Sequence, residues 1–185
     1  FWDSGKITSS RSCQVGYEGK PLDSRQTLYW KAMVWDEAGE ASPWSETGRW
    51  TMGLLEPSDW TARWIGNRED AYPDSTLTTP APYFRKTFRI NKPVKQAKAY
   101  ICGLGFYEMY LNGERVGDQV LAPAVTNFDR RSLKKMLYFF DDQSNQRVLY
   151  NTFDVTSLVQ KAENTVGVLL GNGWYNQRDR TVEGC

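Results

Sequence analysis

The residues of this 185-residue chain best suited to chemistry sit in the turn GNGWYN, where Asn172, Trp174, Tyr175 and Asn176 almost adjoin. Two rings and two carboxamides on a glycine-freed backbone can lie against the apolar side of a sugar and hydrogen-bond its hydroxyls. A turn that only packs its own rings fits the same spacing, and both readings stay open at this point. Hydrolysis of a glycoside would need two carboxylates facing one bond. Asp129 with Asp118, and Glu108 with Glu114, are close in sequence, but spacing alone brings neither pair together. Asp141, Gln143 and Asn145 carry the alternating oxygens of a calcium loop. Gln146, however, stands where an EF-hand turns on Gly, and Thr152 where it closes on Glu, so a solvated loop is the expectation there. The glycines of GLGFYEMYLNGERVG lack the GxGxxG spacing and lie inside a hairpin, which rejects a nucleotide fingerprint.

Composition removes whole classes of mechanism. The chain has no histidine, so it holds no Ser-His-Asp triad, no Cys-His pair and no His-ligated metal. Cys13, Cys102 and Cys185 are far apart and odd in number, which fits neither a disulfide framework nor a CxxC zinc site. Cys102 reads as a small core residue. A net charge of +1 from 23 basic and 22 acidic residues spread along the chain gives no field to recruit nucleic acid or an anionic membrane. No apolar run is long enough to span a bilayer. Aromatics reach 14%, a composition that favours strands.

The elements that would position these residues read as strands. Asn112-Gly113 is a two-residue type I′ turn, because both residues tolerate positive φ. The arm before it, from Ala99 to Leu111, is apolar on both sides, as expected of a strand in mid-sheet with each face covered. Gly103 and Gly105 share one face of that arm and leave room for a bulge, a neighbouring backbone or a ligand. Further on, YFRKTFRI alternates as an edge strand. SLKKMLYFF fits a short helical stripe with Ser132 as N-cap. RVLYNTFDVT alternates as a strand, Asp154 and Thr156 can cap one helical turn around SLVQK, and Val166, Val168 and Leu170 share a face of TVGVLLGNG.

Residues 1–53 show three or four strands, with FWDSGKI a short broken one and LYWKAMVW the best. A fibronectin-like or immunoglobulin-like sandwich needs about seven strands, so the missing ones are expected before Phe1. With Phe first and Cys185 last, the sequence reads as a piece of a longer protein. The fold class expected is all-β: residues 1–55 as the C-terminal part of such a sandwich, 56–82 as a Pro-rich linker, and 83–185 as a jelly-roll-type β-sandwich, truncated at its end. In the linker, Trp60 and Trp64 are expected to anchor on a neighbouring domain.

Taken in order, FWDSGKI, YWKAMVWDEAGEASPWSE, DWTARWIG, APYFRKTF, GLGFYEMYLNGERVGD, LAPAVTNFDRR, RVLYNTFDVTSL and VGVLLGNGWYN resemble the N-terminal region of bacterial α-L-rhamnosidases, which are multidomain glycoside hydrolases. The resemblance covers most of the chain. It implies the fibronectin-like and jelly-roll domains just described. Downstream it implies an (α/α)6 barrel that holds the catalytic carboxylates and hydrolyses terminal α-L-rhamnosides with inversion. No catalytic residue is therefore assigned to this chain. The implied partners are rhamnose-containing glycans and that barrel, and the implied location is periplasmic or secreted. SLKKMLYFFDDQSNQ departs from the pattern as an insertion. In some members the second sandwich binds rhamnose with the help of calcium, but no calcium ligand can be matched here residue by residue. If this domain touches sugar, the contact belongs in end loops: Asn172, Trp174, Tyr175 and Asn176 in one, and Asn127, Phe128 and Asp129 in another, where the carboxylate can accept a hydrogen bond or reach calcium. The competing reading is a non-catalytic adhesion or interaction module, which would lack a downstream barrel.

Overall fold

In residues 1–65, one long antiparallel hairpin organises the chain. The computed structural model describes residues 2–11, 13, 15–66, 81–124 and 148–173, and the chain divides into two units, 1–65 and 66–185. Strands β1 (Thr27–Trp30) and β2 (Gly48–Thr51) pair with Leu28 opposite Trp50. The ladder runs past both ends. Arg25 and Met52 N–H groups bond Gly53 and Gln26 carbonyls, while a bridge joins Trp35 to Ala41 near the tip. At the tip Asp36 Oδ1 accepts the Glu40 N–H at 2.8 Å, a side chain standing in for a backbone turn partner.

Among the described residues of this unit only Leu28 is a buried hydrophobic; Tyr29, Trp30, Val34 and Trp44 are exposed. The alternation expected in LYWKAMVW does not appear as alternating burial: the strand ends at Trp30, and the side expected to be better buried is covered only at Leu28. Among the described residues fewer strands form than the sequence suggests. Residues 2–7 form no strand: Asp3 Oδ1 accepts the Gly5 N–H at 2.9 Å, and Gly5 has φ +61°, so a local Asx turn takes the backbone away from any ladder.

The stretch after β2 is tied back to the base of the hairpin. A 3₁₀ turn at Pro57–Asp59 places the Asp59 carboxylate where it accepts from Ser24 Oγ and from the Glu56 N–H. The Arg25 guanidinium lies 3.5 Å from Asp59 Oδ1, and the Leu55 N–H donates to Ser24 Oγ at 2.8 Å. Trp60 is half-buried beyond this clamp, while Trp64 is 63% exposed.

The second unit is a sandwich of two antiparallel sheets. Strands β3 (Tyr83–Ile90), β4 (Lys98–Ile101), β5 (Phe106–Leu111), β6 (Glu114–Arg115), β7 (Asn151–Asp154) and β8 (Ala162–Gly171) form a four-stranded sheet in the order β3-β8-β5-β6 and a pair β4-β7. One core fills the space between them. Tyr107, Met109 and Leu111 of β5 meet Phe153 of β7 and Val155, with Ala99, Ile101, Val166, Val168 and Leu170 packed around them. The expected face of Val166, Val168 and Leu170 is thus the core face of β8, and among the described residues YFRKTFRI is an edge strand.

The turn forms as its sequence demands, with φ +54° at Asn112 and +90° at Gly113, and Leu111 pairs with Glu114. The arm before it is not one strand. It breaks at Cys102–Gly105, so β4 and β5 belong to opposite sheets. The cause is Gly105, with φ +126°, where a Cβ would strike the Gly171 carbonyl and lie 3.1 Å from that of Asn172. The room left by Gly105 is taken by a neighbouring backbone, and that left by Gly103 by the side chains of Tyr107 and Leu170. After β7, the Thr156 N–H donates to Asp154 Oδ1 at 3.0 Å and Leu158 N–H to the Val155 carbonyl, giving the single capped turn expected. The proposed helix SLKKMLYFF lies outside the described residues. Among those described, no helix is long and apolar enough to cross a membrane.

Candidate functional site

Two polar clusters in the second unit have geometry that can be described in full. In the first, Asn164 of β8 is buried to 1% exposure. Its Oδ1 accepts from the Gln160 N–H at 2.7 Å and from Asn112 Nδ2 at 2.8 Å, and its Nδ2 donates to the Gln160 carbonyl at 2.8 Å. Asn112 also donates to the Leu158 carbonyl and accepts from the Thr165 N–H, both at 2.8 Å. Every polar atom of the two carboxamides has a partner, so this cluster is a structural lock with nothing left for a ligand.

The second cluster bridges the sheets. Tyr107 of β5 donates its hydroxyl to Asn151 Oδ1 of β7 at 2.9 Å, and Cys102 Sγ donates to the Leu149 carbonyl at 3.3 Å. Burial, with Cys102 nearby, pushes the Tyr107 phenol up to about 12, and burial also raises the Cys102 thiol. Both groups stay protonated at neutral pH. In the first unit, the Ser24 hydroxyl, the Glu56 N–H and the Arg25 charge hold Asp59 below the usual carboxylate range.

Of the residues singled out for sugar contact, Asn172 is exposed and follows the end of β8. Its carbonyl reaches the backbone at Gly105, so the start of this turn rests on the β4–β5 break. Trp174, Tyr175, Asn176, Asn127, Phe128 and Asp129 lie outside the described residues, as do Asp141, Gln143 and Asn145. Glu108 and Glu114 do not converge. Glu108 sits on the face of Tyr110, whereas Glu114 pairs with Leu111 on the other. Among the described residues no group of three or more Cys, Asp or Glu side chains gathers to hold a metal ion, so nothing described supports a calcium site.

What the sequence reading missed is the outer face of the four-stranded sheet. Tyr83, Arg85, Tyr110, Gly167 and Leu169 line a shallow depression of ≈ 310 Å³ there. The Tyr110 hydroxyl donates to Glu108 Oε2 at 2.8 Å, and Arg115 lies 3.5 Å from Glu108 Oε1. The hydrogen bond to Glu108, helped by burial, raises the Tyr110 phenol above its usual value. The alternation of YFRKTFRI was visible, but only the strand register joins it to Gly167 and Tyr110.

Comparison with known proteins places both units. Residues 1–56 match the model of the Rha78A-like, N-terminal immunoglobulin domain. Residues 92–139 and 140–184 match the α-L-rhamnosidase N-terminal domain. An α-L-rhamnosidase of Formosa agariphila is 39% identical over 193 residues, covering 95% of this chain and 19% of its own length. One from Alteromonas sp. is 36% identical, covering 96% of this chain and 18% of its own length. Among solved structures, the α-L-rhamnosidase from Dictyoglumus thermophilum superposes with a TM-score of 0.76 at 37% identity, over 94% of this chain and 19% of that one. The α-L-rhamnosidase from Aspergillus terreus gives 0.70 at 30%, over 90% and 18%. The chain spans about a fifth of the length of the relatives it matches.

Proposed function

The chain belongs to the α-L-rhamnosidase family, whose N-terminal region it matches, and on that premise we propose that it serves as the accessory region of an enzyme releasing terminal α-L-rhamnose from glycosides with inversion. The observation that carries this reading is the pairing of two N-terminal domain models with one chain that covers only about a fifth of its relatives' length. The acid and base of an inverting mechanism then belong to a downstream barrel, and this chain has no turnover of its own. The proposed layout is a partial fibronectin-like sandwich over 1–55, a linker over 56–82 and a jelly-roll-type domain over 83–185. An aryl α-L-rhamnoside assay of the purified chain tests the reading; release of the aryl group above a mock preparation overturns it.

Within that role, the end loops of the second domain are proposed to hold a rhamnoside. Trp174 and Tyr175 offer rings to the apolar face of the deoxy sugar, Asn172 and Asn176 offer carboxamides, and Asn127 and Asp129 offer acceptors from the second loop. Titration calorimetry of L-rhamnose, with and without calcium, into wild type and Trp174→Ala is the test. Loss of binding at an unchanged melting temperature supports a sugar platform. A drop of about 3–5 kcal/mol in stability marks a packed core ring instead.

A further inference from the structure

The depression on the outer face of the four-stranded sheet is built on a strand register that brings complementary chemistry into two adjacent rows. In one row Arg85 of β3 lies opposite Gly167 of β8, which lies opposite Tyr110 of β5, which pairs with Arg115 of β6. In the next, Tyr83 lies opposite Leu169, and Leu169 opposite Glu108. An aromatic ring, an open floor and an aliphatic side chain thereby lie beside Arg85 and Tyr110, with Glu108 and Arg115 in the same rows but outside the lining of the depression.

Gly167 is the informative member. Its φ is not positive, and a Cβ there would meet nothing nearer than the Phe84 carbonyl at 4.0 Å, so neither the backbone nor its packing requires glycine. Glycine inside a strand weakens it and often marks a bulge or the close approach of a ligand or another backbone; the register through Gly167 is uninterrupted on both sides, so there is no bulge. Around it the polar rim is already ordered. Tyr110 is fixed by Glu108 and Glu108 by Arg115, while Arg85 enters no hydrogen bond or ion pair among the described residues. Tyr83 is 81% exposed.

Size decides the occupant. The depression is shallow and is lined by residues of three adjacent strands and of the β5–β6 turn. Its ≈ 310 Å³ matches the lower end of small-molecule sites, which span about 300–1,000 Å³ and combine an apolar lining with a few polar groups. The strands bearing Arg85 and Tyr110 stand two spacings apart, about 9.5 Å, a span suited to one sugar ring.

We propose that this face is a second carbohydrate contact, separate from the end loops, that seats one rhamnoside ring over Gly167 and Leu169 against Tyr83, with Arg85 bonding its hydroxyls. The choice of rhamnoside rests on the function proposed above; the position does not. Methyl α-L-rhamnopyranoside titrated into the ¹⁵N-labelled full chain tests it. Saturable amide shifts at Arg85, Gly167 and Tyr110 are expected, weakened at least about tenfold in Tyr83→Ala, as loss of a stacking ring implies, and abolished in Gly167→Val, whose β-branched side chain suits a strand while filling the floor. The same shifts in Trp174→Ala support the sheet-face site whatever becomes of the end loops. Shifts confined to the 172–176 region and lost only in Trp174→Ala overturn it and leave the end-loop reading standing. Silence at the three amides under saturating sugar, or shifts there that follow protein concentration alone, also overturns it.

Discussion

Asn112 Nδ2 donates to Asn164 Oδ1 at 2.8 Å, so the residue that makes the β5–β6 turn is also the partner of the most buried polar side chain among the described residues of the second unit. Replacing Asn112 by glycine keeps the positive φ but removes every side-chain bond. The Thr165 N–H and the Leu158 carbonyl then lose partners, and a buried polar group left unpaired costs about 1–3 kcal/mol. Urea denaturation of Asn112→Gly is expected to show a loss in that range. An unchanged midpoint would mean that the turn needs Asn112 for its backbone alone.

Gly105 in the β4–β5 break and Gly167 on β8 should respond in opposite ways. Gly105→Ala forces a side chain into φ +126° and into the Gly171 carbonyl, and it is expected to lower stability by more than about 1 kcal/mol. Gly167→Ala meets open space, so its melting temperature should hold or rise slightly. Thermal melts of the two variants side by side check the contrast.

The Asp59 clamp should release in acid. Its folded-state pKa is depressed below 3.8, chiefly by the Ser24 hydroxyl and then by the Glu56 N–H. A depressed pKa means that the stabilisation is complete above the unfolded value and is lost as pH falls through the folded one. Hydrogen exchange at the Leu55 and Glu56 amides should therefore accelerate below pH 3.8 beyond its intrinsic pH dependence. Asp59→Asn should remove that excess, and an identical profile in the variant would refute the clamp.

At the alkaline end the sign reverses. Tyr107 is raised from 10.0 to about 12, so its contribution is complete below the unfolded value and is lost as pH rises through the folded one. Tyr107→Phe forfeits the bond to Asn151 and should be less stable at neutral pH by about 0.5–1.5 kcal/mol. Its stability should also decline less steeply between pH 10 and about 12. Parallel slopes would contradict the assignment.

What could be read from the residues alone was whatever is encoded locally. The Asn112-Gly113 turn, the Asp154 cap and the alternation in β3 and β8 each depend on a few consecutive side chains. The break at Cys102–Gly105 was harder to read, because a segment apolar on both sides has the same pattern as one mid-sheet strand or as two strands in facing sheets. Only the paired glycines marked the place. In the first unit, the alternation in LYWKAMVW led to an expected buried face that the described residues cover only at Leu28. The end-loop candidate is legible as chemistry in GNGWYN because its residues are neighbours in sequence. The depression over Gly167 is not, because its floor at Gly167 lies 82 and 57 residues along the chain from Arg85 and Tyr110, and no local periodicity records a register between distant strands.

The strand order β3-β8-β5-β6 has a consequence for synthesis. Apart from the short β5–β6 hairpin, every ladder in that sheet includes β8, the last strand of the described chain. A ribosome emitting this domain N-terminus first exposes β3 and β5 as unpaired edges until residues 162–171 emerge and slot between them. Such late, non-local closure slows folding and prolongs contact between open edges and other chains. Arg85, Lys86 and Arg89 place like charges along β3, the kind of device that keeps a waiting edge from pairing with the wrong strand.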